Sequence, residues 1–187
     1  MPIGRVPLLN RDENRRRGFV HLYMGEGEGK TLAAIGAAIR AIGHGYKVII
    51  VQFMKGRKDI GEYKIRERLA PEYEIHQFGR EVFIDLRKPD PIDYKLAREG
   101  LKFAREALRR RPKLLILDEL SLAVAVGLID VDEVLDLLRE VPPSTVVILT
   151  GRQAPKEFIE VADLVSEVRE VKHPMRAGIK ARKGIEY

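Results

Sequence analysis

A glycine-rich segment lies between an apolar run and a helical pattern near the amino end of the chain. Segment 24–31 reads MGEGEGKT, follows the apolar run 18–23 and precedes a helical pattern over 30–42. Glycines after a strand let backbone N–H groups and the positive end of the next helix point at one place, which suits a polyphosphate. A lysine for the phosphates and a hydroxyl for Mg²⁺ complete a loop of the Walker A type. The residues expected to bind nucleotide here are Gly25, Glu26, Gly27, Glu28, Gly29, Lys30 and Thr31.

One position departs from the general pattern G-x-x-x-x-G-K-[ST]. Met24 stands where that pattern has its first glycine, so the first tight turn has to be made by Gly25 or by a different backbone path. The alternative interpretation is a glycine-rich hairpin followed by an unrelated helix. The strand pattern before the loop and the helix pattern after it favour a phosphate-binding loop.

Short apolar runs alternate with helical patterns along the rest of the chain. Strands are predicted over 18–24, 47–53, 73–78, 113–117, 145–150 and 164–170. Helices are predicted over 30–42, 92–110 and 131–140, and irregular structure over 54–62 and 79–91. This alternation is typical of an α/β fold, a mostly parallel sheet flanked by helices in a P-loop NTPase-like (RecA-like) three-layer sandwich. We expect a polar, flexible leader over 1–17 and a single nucleotide-binding domain over 18–187.

A second chemical signal follows the apolar run 113–117, where two carboxylates, Asp118 and Glu119, end the predicted strand. A buried strand brings Asp118 to the sheet edge that also carries the phosphate loop, where a carboxylate can reach Mg²⁺ directly or through water. The pair therefore resembles a Walker B motif. Glu119 is expected either to act as a base for water or to orient the nucleotide sugar or the metal shell, and the residues leave both roles open.

Composition limits the class of protein. The chain has 187 residues, of which 45% are hydrophobic, enough for one good core. Cysteine is absent, which excludes disulfides, thiolate metal sites and a cysteine nucleophile. No apolar run approaches the roughly 20 residues that span a bilayer, so we expect a cytoplasmic protein without a membrane partner.

The net charge of +6 raises the question of nucleic-acid binding. Basic clusters occupy 15–17, in the leader, and 109–111, at the end of a predicted helix, where cations favour the helix dipole. Only 6% of residues are aromatic and none is Trp, whereas proteins that bind single strands need stacking residues. We therefore expect these clusters to be solvated surface and predict no nucleic-acid partner.

Taken together, these residues resemble the cob(I)alamin adenosyltransferases of the CobA/BtuR type, the ATP:corrinoid adenosyltransferases. The resemblance covers most of the chain in consecutive order; it includes the phosphate loop, 38–45, 51–56, 117–120, 149–152, 162–163, 171–174, 177–178 and 184–187. The family's loop also lacks the first Walker glycine, as Met24 does here. This chain departs from the family at Glu26 and Glu28, where an amide and a lysine are usual, and at Leu32, where a hydroxyl is usual. Two carboxylates beside a polyphosphate repel it unless they point outward or share the metal.

The resemblance implies a reaction in which cobalt(I) of a reduced corrinoid attacks the 5′ carbon of ATP and expels triphosphate. It implies ATP, Mg²⁺ or Mn²⁺, a corrinoid substrate, an electron donor such as a flavoprotein or flavodoxin, and a homodimer. The implied catalytic residues are Lys30, Thr31, Asp118 and Glu119, with Thr31 and Asp118 holding the metal. Arg40 and Arg152 are expected to add nucleotide contacts. The residues expected near the corrinoid are Phe83, Gly79 and Lys55, whereas Phe78 is expected in the core.

Other functions stay open at the level of sequence. The two Walker motifs also suit a RecA-like ATPase or a small P-loop kinase that cleaves at the γ-phosphate. A nucleotide-dependent regulator without catalysis is a further alternative, which Glu26 and Glu28 make more plausible. His76 lies in a segment similar to a histidine motif that ligates cobalt in other corrinoid enzymes, but an outward residue on an alternating strand explains it without a ligand.

Overall fold

The computed structural model describes residues 17–82 and 84–187, and its centre is a parallel sheet. The strands are β1 (Phe19–Met24), β2 (Val48–Phe53), β3 (Tyr73–Phe78), β4 (Leu114–Asp118), β5 (Val146–Gly151) and β6 (Leu164–Glu167). In the described residues they form a six-stranded sheet in the order β3-β2-β4-β5-β1-β6, and every neighbouring pair is parallel. All six predicted strands are confirmed, and the carboxyl ends of β1, β2, β4 and β5 share one edge.

Strand β6 is shorter than predicted, because it ends at Glu167 rather than at residue 170. Its partner is β1, and the last pair in their register joins Met24 to Glu167. Since the glycine loop begins directly after Met24, the chain beyond Glu167 has no strand to pair with. The length of this edge strand is therefore set by its neighbour.

Helices cover both faces of the sheet and complete the three layers. The helices are α1 (Lys30–Ile42), α2 (Gly61–Lys64), α3 (Arg66–Leu69), α4 (Pro91–Arg109), α5 (Leu120–Ala125), α6 (Val131–Arg139) and α7 (Lys156–Val161), with a 3₁₀ helix at Pro174–Ala177. The predicted helices correspond to α1, α4 and α6. The four shorter helices were not predicted, since four to six residues are too few for an apolar period. One of them begins inside the segment 54–62, predicted to be irregular.

Two hydrophobic cores lie on opposite faces of the sheet. Strand β4 alternates between them: Leu115 and Leu117 pack in the core under α4 to α7, whereas Leu114 and Ile116 pack in the core under α1. Central strands buried on both faces are apolar throughout, which explains the unbroken runs in the sequence. Phe78 packs against the first core, as predicted.

No helix within 17–82 and 84–187 is both long and apolar enough to cross a membrane.

Candidate active site

The phosphate loop turns at its first glycine. Gly25 follows the last residue of β1 with a φ of 109°, a conformation that residues with a Cβ rarely adopt. A Cβ on Gly27 would lie 2.7 Å from the backbone of Arg169, so the loop also packs closely against the chain after β6. Gly25 therefore makes the tight turn that the general pattern assigns to position 24.

Two backbone N–H groups of the phosphate loop donate hydrogen bonds to carbonyls elsewhere in the protein. The N–H of Gly25 donates to the carbonyl of Arg152 at 3.1 Å, and the N–H of Gly27 donates to the carbonyl of Val168 at 2.8 Å. Helix α1 begins at Lys30, and the first N–H groups of a helix have no acceptor within it. The donors at the start of α1 are therefore the ones best placed for an anion.

The side chain of Lys30 folds back and binds two backbone carbonyls of its own loop. Its Nζ donates to the carbonyls of Gly25 and Gly27, each at 2.6 Å, and the residue is buried. Burial lowers the pKa of Lys30, and the negative charge of Glu119 offsets this in part. The loop thus holds a desolvated cation at its centre, where a phosphate group would meet it.

Asp118 is the centre of the hydrogen-bond network next to the loop. Its Oδ1 accepts from the hydroxyls of Thr31 at 2.8 Å and Thr150 at 2.7 Å, while its Oδ2 accepts from Lys55 Nζ at 2.7 Å and Gln52 Nε2 at 3.0 Å. Burial by itself raises the pKa of Asp118, but the charge of Lys55 and the hydrogen bonds outweigh it, so the pKa lies below its ordinary value. Asp118 is therefore an ionised, fully buried acceptor.

Glu119 differs from Asp118 in its hydrogen bonding and in the direction in which its pKa is shifted. It has a φ of 61°, an unfavourable conformation for a residue with a side chain, and its N–H donates to the hydroxyl of Thr150 at 2.9 Å. Burial and the charge of Asp118 raise the pKa of Glu119 above its ordinary value, against the opposing effect of Lys55 and Lys30. Its Oε2 is buried and has no hydrogen-bond partner in the described part of the chain. Two adjacent carboxyl groups whose pKa values move apart are a common feature of active sites.

Lys55 reaches the site from the end of β2. Its Nζ lies 3.3 Å from Thr31 Oγ1 as well as 2.7 Å from Asp118 Oδ2. A Cβ on Gly79 would lie 2.3 Å from the backbone nitrogen of Lys55, and a Cβ on Gly56 would lie 2.4 Å from the carbonyl of Gly79. The two glycines thus allow the chain after β3 to pack directly on the chain that carries Lys55.

Two cavities open beside this network. One, of about 680 Å³, lies next to the phosphate loop, and its lining includes Glu26, Glu28, Arg152 and His173. The other, of about 240 Å³, lies next to Lys55. Its lining includes Met54, Lys55, Arg57, Glu62, Val82 and Tyr187.

Comparison with known proteins agrees with this geometry. A family model described as "ATP:corrinoid adenosyltransferase BtuR/CobO/CobP" matches residues 16–187. The chain belongs to this family. The corrinoid adenosyltransferase of Escherichia coli K12 is 39% identical over 172 residues, which are 91% of this chain and 86% of that protein. That of Pseudomonas aeruginosa is 39% identical over 178 residues, 95% of this chain and 86% of its own. The corrinoid adenosyltransferase CobA of Salmonella typhimurium is 36% identical over 184 residues, 98% of this chain and 92% of its own.

The two carboxylates of the phosphate loop, Glu26 and Glu28, both lie outside the network. Glu26 is exposed, and the Glu28 side chain is 62% exposed and lies 2.8 Å from Nε2 of His173. Neither is hydrogen-bonded to Lys30 or Asp118 in the contacts of the described residues. Both line the larger cavity beside the loop, so their charges lie near the loop without a hydrogen bond to its central lysine.

The structure brings most of the other predicted residues together, and the two exceptions are Arg40 and Phe83. Arg152 follows β5 directly and borders the loop, whereas Arg40 lies in the last turn of α1, about 15 Å along the helix from Lys30. Arg40 therefore does not join the loop within this chain. Phe83 lies outside the described residues. His76 contacts Glu74 at 2.7 Å and the ring of Phe103 at 4.2 Å, and the described residues contain no cluster of three His, Cys, Asp or Glu side chains able to hold a metal.

Two residues of the network were missed in the sequence. Gln52 and Thr150 are both fully buried, and each donates to Asp118. Gln52 in turn accepts from Nε2 of Gln77 at 3.0 Å. A polar residue within an otherwise apolar central strand needs a buried partner, and this signal was present at both positions.

Proposed function

We propose that the protein is an ATP:corrinoid adenosyltransferase, which transfers the 5′-deoxyadenosyl group of ATP to cobalt(I) of a corrinoid. The observation that carries the proposal is the phosphate loop beside Thr31 and Asp118 in a chain that belongs to this family. In the reaction, the electron pair of cobalt(I) forms the bond to the 5′ carbon. The bond from that carbon to oxygen breaks, and triphosphate leaves with those electrons.

This reaction requires the protein to position the reactants and to stabilise charge, and it does not require a side-chain nucleophile. The metal of the corrinoid substrate is already the nucleophile, so the protein has to hold the 5′ carbon in line with it and stabilise the leaving triphosphate. The chain contains no cysteine, and the site needs none. A site that holds three phosphates firmly and leaves the sugar end free fits this demand.

We assign the triphosphate to the start of α1, Lys30 and Arg152. The N–H groups at the start of α1 have no acceptor within the helix and suit an anion, and Lys30 is a desolvated cation that donates to the loop carbonyls of Gly25 and Gly27. Arg152 lines the larger cavity beside the loop and lies close enough to Lys30 to affect its pKa. Each of these groups interacts more strongly with triphosphate as negative charge builds on it.

We assign Mg²⁺ to Thr31 and Asp118. Their oxygens lie 2.8 Å apart, and hydroxyl and carboxylate oxygens are ligands that this ion prefers. Mg²⁺ usually takes only one or two protein ligands, keeping water and phosphate oxygens for the rest, which suits a site with no larger acidic cluster in the described residues. When bound, the ion would neutralise charge on the leaving triphosphate. Glu119, with its raised pKa and unpaired Oε2, would orient the water shell or the nucleotide sugar.

We place the corrinoid on the side of the smaller cavity. Lys55 lines that cavity and also contacts Asp118, so a corrinoid in the cavity would lie next to Thr31 and Asp118, the two residues assigned to Mg²⁺. Met54 and Val82 supply apolar surface, and the tight packing of Gly79 on Lys55 holds the two segments together. Apolar surface here would exclude water from cobalt(I). Phe83, next in the chain to Val82, remains a candidate by position.

The remaining assignments rest on the family. Cobalt(I) has to be supplied by reduction, and we propose a flavoprotein such as a flavodoxin as electron donor. We further propose that the protein is a homodimer in the cytoplasm. We also propose that its one domain begins near residue 18 and follows a polar leader.

Product analysis tests this function. Purified protein with ATP, Mg²⁺, a strong reductant and cobalamin should consume the cobalt(I) spectrum and form adenosylcobalamin. Phosphorus NMR of the same mixture should show inorganic triphosphate in equal amount. ADP with phosphate, formed whether or not corrinoid is present, would instead identify an ATPase; ADP with a phosphorylated acceptor would identify a kinase. Tight ATP binding with no product would identify a regulator.

A further inference from the structure

Both oxygens of the Asp118 carboxylate have all their acceptor positions occupied by hydrogen bonds within the protein. Each oxygen accepts two hydrogen bonds, from Thr31 and Thr150 at one and from Lys55 and Gln52 at the other. A carboxylate has about four acceptor positions. A divalent ion that binds Asp118 directly must therefore displace one of these donors.

Lys55 is the donor best suited to leave. Gln52 and Thr150 are fully buried on central strands, whereas the Lys55 side chain is 27% exposed and lines the smaller cavity of about 240 Å³. Its ammonium contacts Thr31 Oγ1 and Asp118 Oδ2, so it lies against the same hydroxyl and the same carboxylate that a divalent ion would take. A lysine ammonium is a compact positive charge on a flexible stem, which makes it a fair substitute for a metal ion.

The protein also provides other acceptors for a displaced ammonium. Oε2 of Glu119 is buried without a hydrogen-bond partner, and Glu62 lines the same cavity as Lys55. Both carboxylates are near enough to attract the charge of Lys55. The side chain can therefore move a short distance and remain paired.

We propose that Lys55 is a built-in counter-ion, which occupies the Thr31–Asp118 pair in the nucleotide-free protein and competes there with the divalent metal. This inference rests on the metal site assigned above. In the free protein, Lys55 stabilises the buried charge of Asp118 and keeps metal affinity low. Metal then binds well only together with the nucleotide, whose phosphates add the ligands that offset the loss of the lysine contact.

Binding of Mn²⁺ to the nucleotide-free protein, followed by electron paramagnetic resonance, tests the competition. Lys55→Met removes the charge at similar length, and Lys55→Gln removes the charge but keeps a hydrogen-bond donor in case the first variant folds poorly. We expect Mn²⁺ to bind either variant at least about tenfold more tightly than the unmodified chain. Lys55→Arg, which keeps a cation, should stay within about threefold of the unmodified chain.

Two further variants distinguish a failure of the counter-ion proposal from a failure of the metal-site assignment. Lys58→Met makes the same change of net charge at a residue whose ammonium lies 5.7 Å from the ring of Tyr63, and it should leave Mn²⁺ affinity unchanged. Asp118→Asn should abolish Mn²⁺ binding. If Asp118→Asn weakens binding but neither Lys55 variant strengthens it, the counter-ion proposal is overturned while the metal site stands. If Asp118→Asn binds Mn²⁺ as the unmodified chain does, the metal site is wrong and the proposal falls with it.

Discussion

The phosphate loop is bordered by two regions of opposite character. On one side lies the floor, formed by Gln52, Asp118 and Thr150 at the ends of the central strands; all three are fully buried, and Gln52 and Thr150 each donate to Asp118. On the other side lies the rim, residues 164–187, where all four residues of β6 are exposed and Val171 is 95% exposed. The rim contacts the loop through backbone, as in the bond from Gly27 to Val168, and through the side-chain contact of His173 with Glu28.

The difference indicates which substitutions the site tolerates. In the floor, removal of one hydrogen-bond partner leaves a buried polar group unsatisfied, which typically costs about 1–3 kcal/mol. In the rim, an exposed ion pair contributes about 1 kcal/mol or less. Glu26 and Glu28 both line the larger cavity, which residues of the rim also line and which we call the rim cavity; a change of charge there has a modest effect. The same loop can therefore keep its chemistry while its outer face varies.

The largest expected effect comes from Lys30, where the loop meets the floor. Lys30→Ala removes the desolvated cation beside the phosphates and should lower kcat/KM for ATP by at least about 100-fold. Lys47→Ala is the matched control, since that exposed lysine lies just before β2, at the opposite end of the strands, and should leave the rate unchanged. Thermal unfolding of each variant checks that the fold is intact. Full activity of Lys30→Ala would remove the loop from the mechanism.

A much smaller effect is expected in the rim. Glu28→Gln removes a negative charge near the bound triphosphate, and the affinity for ATP should rise by about two- to fivefold at low salt and less at high salt. Glu106→Gln, on the exposed side of α4, makes the same charge change far from the rim cavity and serves as the control. Calorimetric titration with ATP at two ionic strengths measures both. A loss of ATP affinity of tenfold or more would mean that Glu28 belongs to the binding site itself, and the distinction between floor and rim would fail.

The sequence predicted the strands that carry the floor, and Asp118 within it, better than it predicted the rim, for a physical reason. Buried strands carry continuous apolar runs, and parallel strands bring their carboxyl ends to one edge, so the proximity of Thr31 and Asp118 followed from pattern alone. The rim has no such period, and the end of β6 depended on the length of its neighbour. The contact of Lys55 with Asp118 depends on side-chain direction after a strand, which no local pattern encodes. The distance of Arg40 from the loop, in contrast, could have been obtained from the rise of the predicted helix.

A crystal structure with ATP and Mg²⁺ tests the central claim most directly. We predict that the triphosphate lies against the start of α1 and Lys30, with the ion at Thr31 and Asp118 and the 5′ carbon open toward the cavity beside Lys55. Triphosphate bound away from Lys30, or a 5′ carbon enclosed by protein with the γ-phosphate toward the corrinoid side, would contradict the account.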